Sequence, residues 1–224
     1  MVAELPRSAR RWLERVRPVG TAAPAGMRIE QRGSMEANGR WLPFTASAIY
    51  RALPLAFEWR ARLRVMRGIW VDAVDGHADG EGWGGARLWG LKAMGRRSGP
   101  DVLASQLVRN IAELAWLPEL ADAAGGLSWV DAGEDAFEIR ADAGAREVAV
   151  RFELDHAGDI VRASSPARPF DVPDGFEDAA WHCDFGDHRI IDGGRVPASV
   201  VATFDFHDDP WEYFRGEIIE RHPL

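Results

Sequence analysis

Cysteine and lysine are nearly absent from this chain of 224 residues, which contains only Cys183 and Lys92. A single thiol cannot form an internal disulfide, and it excludes zinc sites built from several cysteines. Long apolar runs are absent too: no segment approaches the roughly 18 residues of a membrane-spanning helix, and residues 1–20 lack the apolar core of a secretory signal. We therefore expect a cytoplasmic protein that needs no disulfide.

Sequence motifs typical of nucleophilic catalysis and phosphate binding are also missing. No GxSxG motif occurs, and the glycine-rich segment 82–90 has neither a lysine nor a following helix. Cys183 directly follows His182, so on a strand their side chains would lie on opposite faces. We predict no catalytic residue, no cofactor and no metal ligand.

Histidines and acidic residues cluster near the C-terminal end of the chain. His182, Asp184 and His188 have the same parity, so on a strand they would share a face, and a second cluster follows at 207–209. An extended strand would separate residues 182 and 188 by about 20 Å, too far for one metal ion. FGDH at 185–188 is typical of a turn, and we interpret these histidines as solvated loop residues.

Basic and acidic residues are divided unevenly along the chain. Residues 1–100 hold 17 basic and 9 acidic side chains, a net charge of +8, whereas residues 101–224 hold 10 and 26, a net charge of −16. We interpret this division as packing of the two halves within one domain; an anionic partner or membrane surface for the basic half is the alternative. Nucleic-acid binding is not favoured, because the aromatic residues of segment 57–65 occupy the strand face opposite its arginines.

From residue 27 the apolar residues recur with the period of two that is typical of half-buried antiparallel strands. In FEWRARLRV, residues 57–65, aromatic and aliphatic side chains alternate with charged ones. Turn signals such as ANG at 37–39 and DGG at 192–194 separate such runs at intervals of about ten residues. The sequence therefore predicts a meander of about nine or ten strands, with one long irregular connection at 164–179.

Two amphipathic helices are predicted besides the strands. The N-terminal helix, residues 1–20, has apolar side chains at helical spacing and is expected to pack on its own domain; peripheral contact with a membrane is the alternative. The central helix, residues 98–117, starts with an SGPD segment and ends before Pro118.

Glu113 poses a separate question, because it precedes Trp116 by about one helical turn and resembles a catalytic carboxylate beside an aromatic wall. Projection of the helix puts Glu113 on the edge opposite the apolar stripe, four residues after Arg109. We interpret these two residues as an ordinary surface ion pair. Trp116 also lies off the stripe, so we expect the central helix to contact two surfaces.

Several segments, in their order along residues 5–220, resemble an uncharacterised bacterial family, a domain of unknown function. They are LPRSARRWLERVRPVG, GSMEANGRWLPFTA, FEWRARL, GLKAMGRRSGPD, AELAWLPEL and GGRVPASV. More distantly, a long antiparallel meander with one central helix is similar to the carriers of bacterial lipoproteins. That resemblance implies a strongly curved sheet, an incomplete barrel, with the central helix packed on its concave face.

Together these observations predict a single α+β domain over residues 1–224, built on a large curved antiparallel β-sheet of the incomplete-barrel type. The helix at 1–20 is followed by the first strands at 27–95. The central helix at 98–117 then leads to a second group of strands at 127–220.

The ten tryptophans favour a binding site. A concave sheet too large for its own side chains leaves a cavity that aromatic residues line; alternatively, they fill the concavity themselves. We predict non-catalytic binding or carriage of an apolar ligand, a lipid or acyl chain, between sheet and helix. An enzyme acting on such a ligand and an interaction module without a ligand are the alternatives. The predicted ligand-lining residues are Trp59, Trp70, Trp89, Leu107, Ile111 and Trp116.

Overall fold

The computed structural model describes residues 5–17, 23–206 and 209–224. In these ranges thirteen antiparallel strands form one sheet that curls through 227° into a half-barrel. This confirms the predicted curved antiparallel α+β fold, although the expected number of nine or ten strands was too low. The strands are β1 (Gly26–Ala37), β2 (Arg40–Arg51), β3 (Ala56–Met66), β4 (Ile69–Ala78), β5 (Glu81–Leu88), β6 (Lys92–Ser98), β7 (Leu127–Asp131), β8 (Ala136–Asp142), β9 (Glu147–Leu154), β10 (Ile160–Val172), β11 (Gly175–Ile191), β12 (Gly194–Phe206) and β13 (Asp209–Pro223).

The sheet consists of two meanders that meet at its centre, where β1 pairs with β13. From β1 the chain adds each strand beside the preceding one until β6 forms one edge. It then crosses to the opposite edge at β7 and returns strand by strand to β13. Because the other pairings join consecutive strands, the connecting turns fix most of the registers.

Residues 164–179 belong to the β10–β11 hairpin, so the expectation of a long irregular connection was wrong. Pro166 obscures the strand pattern, but it lies in a β-bulge between Ser165 and Arg168, where the ladder is interrupted and a missing N–H is tolerated. The expected turn at 185–188 was wrong as well. Pairing with β12 keeps that segment within β11.

The N-terminal helix α1 (Arg7–Val16) packs against β8 and β12. Its apolar side is buried, and the Trp12 ring stacks on Phe137 with a centroid separation of 5.7 Å. On its polar side Arg15 donates to Asp159 at 2.9 Å. The helix therefore buries its apolar face within its own fold. This agrees with the expectation that it packs on its own domain.

The central helix α2 (Pro100–Glu113) lies on the concave face and is buried on nearly every side. β4 and β5 contact it from one arm of the half-barrel, and β9 and β10 contact it from the other. Gly82 in β5 permits this close approach, because a methyl group there would lie 2.5 Å from Leu103 Cα. The expectation that the helix contacts two surfaces is confirmed.

The sequence predicted one unbroken helix to residue 117, but the structure interrupts it. The α-helix stops at Glu113, and a 3-10 turn follows at Leu114–Trp116. Pro118 then begins a short helix, α3 (Pro118–Ala121), because proline is well tolerated at a first helical position. No helix of the described ranges is both long and apolar enough to cross a membrane.

Candidate functional site: a cleft between the central helix and the sheet

A cleft opens between α2 and the concave face of the sheet. It consists of an outer chamber of about 450 Å³ and an inner chamber of about 100 Å³. The outer chamber opens between β5, β6 and β10, and the inner one lies under the second half of α2. Asp75, Arg168 and Tyr213 line both chambers, so these three side chains form the junction between them.

Apolar side chains make up most of the wall of the inner chamber. They come from α2, the 3-10 turn and four strands, since alternate residues of each strand point to the concave face. Phe185 packs edge-on against Trp116 with ring centroids 6.0 Å apart. The apolar lining residues are Met35, Ala112, Trp116, Trp181, Cys183, Phe185, Val200, Ala202 and Phe214.

Three charged side chains and a tyrosine form a network beside this chamber, in which Arg109, Glu113 and Tyr50 are largely buried and Asp75 is half-buried. Arg109 donates to Glu113 Oε1 at 2.8 Å and to Asp75 Oδ2 at 3.1 Å. Tyr50 donates to Glu113 Oε2 at 2.7 Å, and the Arg109 guanidinium lies 4.7 Å from the centroid of the Trp59 ring. Glu113 is only 7% exposed, so the prediction of a surface ion pair was wrong. A helical projection leaves the edge of α2 that carries Glu113 in solvent, but the sheet curls around the helix and covers that edge.

Burial governs the protonation of this network. Removal from water raises the pKa of the Asp75 carboxyl, although the positive charges of Arg109 and Arg168 oppose that shift. Burial and the charge of Glu113 raise the pKa of the Tyr50 phenol well above its ordinary value, so its hydroxyl remains a donor. Asp75 therefore takes up a proton more readily than an exposed aspartate does.

Two β-bulges aim Arg168 and Tyr213 into the cleft. Between Ser165 and Arg168, an extra residue on β10 reverses the inside-to-outside alternation of the strand. Tyr213 is the extra residue on β13 where its register with β12 shifts. Bulges of this kind redirect a side chain without ending the strand, and here both side chains reach the junction.

Arg168 is 7% exposed, and its hydrogen-bond partners among the described residues are neutral. It donates to Ser105 Oγ and to the Tyr213 hydroxyl oxygen, both at 3.1 Å. Its guanidinium lies 4.6 Å from the centroid of the Trp181 ring, whose N–H donates to the same Tyr213 oxygen at 3.0 Å. Within the described part of the chain, no carboxylate oxygen lies within 4.0 Å of its nitrogens. Buried charges are as a rule paired, so this guanidinium is an exception.

A family model matches residues 1–216 of the sequence. The chain belongs to DUF6544, a family of unknown function. This confirms the resemblance to an uncharacterised family. No curated protein matches the sequence.

Solved structures with a similar fold cover nearly the whole chain at low identity. A LolA superfamily protein from Nitrosomonas europaea is 10% identical, with a TM-score of 0.47 over 99% of this chain and 94% of that one. A DUF1329 family protein from Desulfovibrio piger is 12% identical, with a TM-score of 0.47 over 96% and 90%. A putative outer membrane lipoprotein-sorting protein domain from Vibrio parahaemolyticus is 10% identical, with a TM-score of 0.49 over 96% and 90%. These likenesses concern the fold alone.

The structure brings only part of the predicted ligand-lining set to the cleft. Trp116 lines the inner chamber, whereas Leu107, Ile111 and Trp59 are buried in the surrounding core. Trp70 and Trp89 lie elsewhere. Trp70 is on the convex face under the Arg62 guanidinium, and Trp89 is 47% exposed in the β5–β6 turn, donating to the Gly68 carbonyl at 3.1 Å.

Several residues of the cleft were not singled out from the sequence. Trp181, Phe185, Val200 and Phe214 belong to the second group of strands, and their apolar alternation could have placed them on the concave face. Arg168 could not be found in that way, because its inward position depends on the bulge in β10.

The histidine cluster lies on the sheet rather than in a loop, so that interpretation was wrong. His182 Nδ1 lies 2.9 Å from Asp205 Oδ2, and His188 Nε2 lies 2.8 Å from the Ile160 carbonyl oxygen. His207 and Asp208 lie outside the described residues. Among the rest, no group of three His, Cys, Asp or Glu side chains is arranged to hold a metal ion.

Proposed function

We propose that this protein binds a small apolar or amphiphilic molecule in the cleft between α2 and the sheet, without converting it. The observation that supports this proposal is the inner chamber, a space of about 100 Å³ that the surrounding apolar side chains leave unfilled. Water finds hydrogen-bond partners only along the side of this space that Asp75, Arg109, Glu113, Arg168 and Tyr213 line. An apolar group that enters it gains about 25 cal/mol for each Å² that it buries.

The two chambers suit a ligand with a slim apolar end and a wider or more polar end. The outer chamber, at about 450 Å³, falls within the size range of ordinary ligand pockets. The inner chamber is smaller than the cavity of about 150 Å³ that holds benzene in another protein. We therefore propose that a short acyl chain or a similar group enters the inner chamber beside Trp116, with Leu107 and Ile111 supporting the wall from the core.

Two measurements test this proposal. Native mass spectrometry of the purified protein should detect a co-purified ligand as a mass excess. After the ligand is removed, titration with 1-hexanol should change the tryptophan fluorescence, because Trp116 and Trp181 line the chamber. Replacing Trp70 and Trp89 by phenylalanine should leave that change intact, since both lie outside the cleft.

A pair of variants on α2 separates filling of the chamber from general overpacking. Ala112 lines the inner chamber, so Ala112→Leu should fill it and abolish 1-hexanol binding while the protein stays folded. Ala104 is fully buried on the same helix but lines neither chamber. Ala104→Leu should keep the binding and lose about 1–3 kcal/mol of stability, because its added carbons have no space. A protein without mass excess and without saturable 1-hexanol binding would contradict the proposal and favour an interaction module.

The second candidate is an enzyme that acts on the same ligand. Asp75 favours it, because a carboxyl with a raised pKa at the junction of both chambers is placed to exchange a proton with a bound molecule. Asp75→Asn should then abolish conversion of the co-purified ligand while leaving its binding intact. A ligand recovered unchanged after prolonged incubation with the protein would exclude this candidate for that ligand.

A further inference from the structure

We propose that the ligand of this cleft is a short carboxylic acid whose carboxylate pairs with Arg168 and whose hydrocarbon tail fills the inner chamber. This inference rests on the proposed function and names the chemical class of the ligand. The inference rests on a buried guanidinium that, within the described ranges, has no carboxylate partner and lies at the entrance to an unfilled, mostly apolar space.

Among the described residues, the charges at the junction leave Arg168 without a direct counter-ion. Arg109 pairs with both Glu113 and Asp75, whereas the hydrogen bonds of Arg168 within this part of the chain go to a serine hydroxyl and a phenol oxygen. A buried charge without a close partner is costly, and a ligand carboxylate removes that cost. Burial raises the pKa of Asp75, and a second negative charge at the junction favours its protonation further. Arg168 is then available to the ligand.

Tyr213 supplies a second donor at the same place. Its oxygen accepts hydrogen bonds from both Arg168 and Trp181, so its own O–H is left to donate. Within the described ranges, this O–H donates no side-chain hydrogen bond. Guanidinium N–H groups and a phenol O–H together match the two oxygens of one carboxylate.

The acidic side chains of the cleft favour a ligand with a single negative charge. Asp75 and Glu113 both line the inner chamber. A phosphate monoester would bring close to two negative charges beside them at neutral pH, and Arg168 alone would face that excess. A carboxylate brings only one negative charge, so we propose a carboxylate headgroup for the ligand. The experiment below compares it with a phosphate headgroup.

The volume of the inner chamber sets the length of the tail. By comparison with the benzene-sized cavity of about 150 Å³, a space of about 100 Å³ holds about four carbons. Affinity for unbranched acids should rise about fourfold with each methylene until this space is filled. Beyond that length the gain should level off, because further carbons must displace α2 or turn back to the outer chamber.

The experiment titrates the full chain at pH 7 with hexanoate, 1-hexanol and hexyl phosphate and follows tryptophan fluorescence. Hexanoate should bind at least tenfold more tightly than 1-hexanol and more tightly than hexyl phosphate. Arg168→Met keeps an apolar stem against Trp181 and removes the charge, so it should lower the affinity for hexanoate to that for 1-hexanol. Arg162→Met is the matched control, because Arg162 lies on the same strand but pairs with Asp184 outside the cleft at 2.6 Å. It should change neither affinity.

The outcomes separate this inference from the proposed function. Equal binding of hexanoate and 1-hexanol would overturn the carboxylate inference and leave the proposed function standing, whereas binding of neither would contradict both. Tighter binding of hexyl phosphate would overturn the choice of headgroup. If Arg168→Met does not fold, the comparison of the three ligands on the unaltered protein, together with Arg168→Lys, tests the carboxylate inference. That variant keeps the charge and should keep the preference for hexanoate over 1-hexanol.

Discussion

Replacement of Arg109 by methionine should destabilise this fold by about 3–5 kcal/mol at pH 7, because the buried Glu113 carboxylate and the half-buried Asp75 carboxylate both lose the guanidinium that they pair with. The variant keeps a linear apolar stem beside the Trp59 ring but loses the hydrogen bonds to Glu113 at 2.8 Å and Asp75 at 3.1 Å. Each hydrogen bond to a charged partner is worth about 1.5–3 kcal/mol, which agrees with that range.

Urea denaturation followed by tryptophan fluorescence measures this loss. Arg62→Met is the matched control: Arg62 also pairs with an aspartate, Asp72 at 2.7 Å, and also lies over an indole ring, Trp70 at 5.3 Å, but it is exposed. Its free energy of unfolding should therefore change much less than that of Arg109→Met, because water screens an exposed pair. Equal losses of stability for the two variants would show that the Arg109 network contributes no more than a surface ion pair.

The pH dependence of the Arg109→Met loss gives a second check. Burial already raises the pKa of the Asp75 carboxyl, and loss of the Arg109 charge should raise it further above its unfolded value. The destabilisation caused by the Asp75 charge is then absent below the unfolded pKa and grows as the pH rises through the folded pKa. The difference in free energy of unfolding between variant and unaltered protein should therefore narrow from pH 7 to pH 4. A constant difference over that interval would contradict the assignment of the loss to buried charge.

Two further predictions concern other parts of the fold. Burial lowers the pKa of His77 to about 4, so its contribution to stability is present above its unfolded pKa of 6.5 and is lost as the pH falls towards 4. At 1.36 kcal/mol per pKa unit, the free energy of unfolding should fall by about 3 kcal/mol over this pH range. In urea denaturation, the His77→Gln variant should not show this fall. Gly82→Ala should cost about 1–3 kcal/mol, because its methyl group meets the backbone of α2 at 2.4–2.5 Å. Gly186→Ala, which meets only the Ser199 hydroxyl at 3.1 Å, should cost less, and equal losses would contradict this account.

The sequence predicted the curved sheet and the central helix because both have strong periodicity. In β3 the alternation of residues 57–65 is unbroken, and the structure buries its apolar side. The number of strands was underestimated where this alternation is interrupted, as in β10, which contains Pro166 and Pro169. The expected cytoplasmic location stays a prediction.

The candidate site was harder to predict because it depends on irregularities and on distant strands. The two bulges that bring Arg168 and Tyr213 inward have no signal in a period-of-two pattern. Projection of the helix correctly set Glu113 apart from the apolar stripe, but it could not reveal that the half-barrel covers that edge. Tryptophan content indicated a binding site without distinguishing Trp116, which lines the inner chamber, from Trp89, which does not.

Nuclear Overhauser contacts from isotope-labelled hexanoate would show whether a ligand tail occupies the inner chamber behind Arg168. We predict contacts between the terminal methyl group of hexanoate and the methyl groups of Met35, Ala112 and Ala202, which line that chamber. These contacts should disappear in Ala112→Leu. Contacts confined to the outer chamber or to the convex face, or no contacts at saturating hexanoate, would contradict the account.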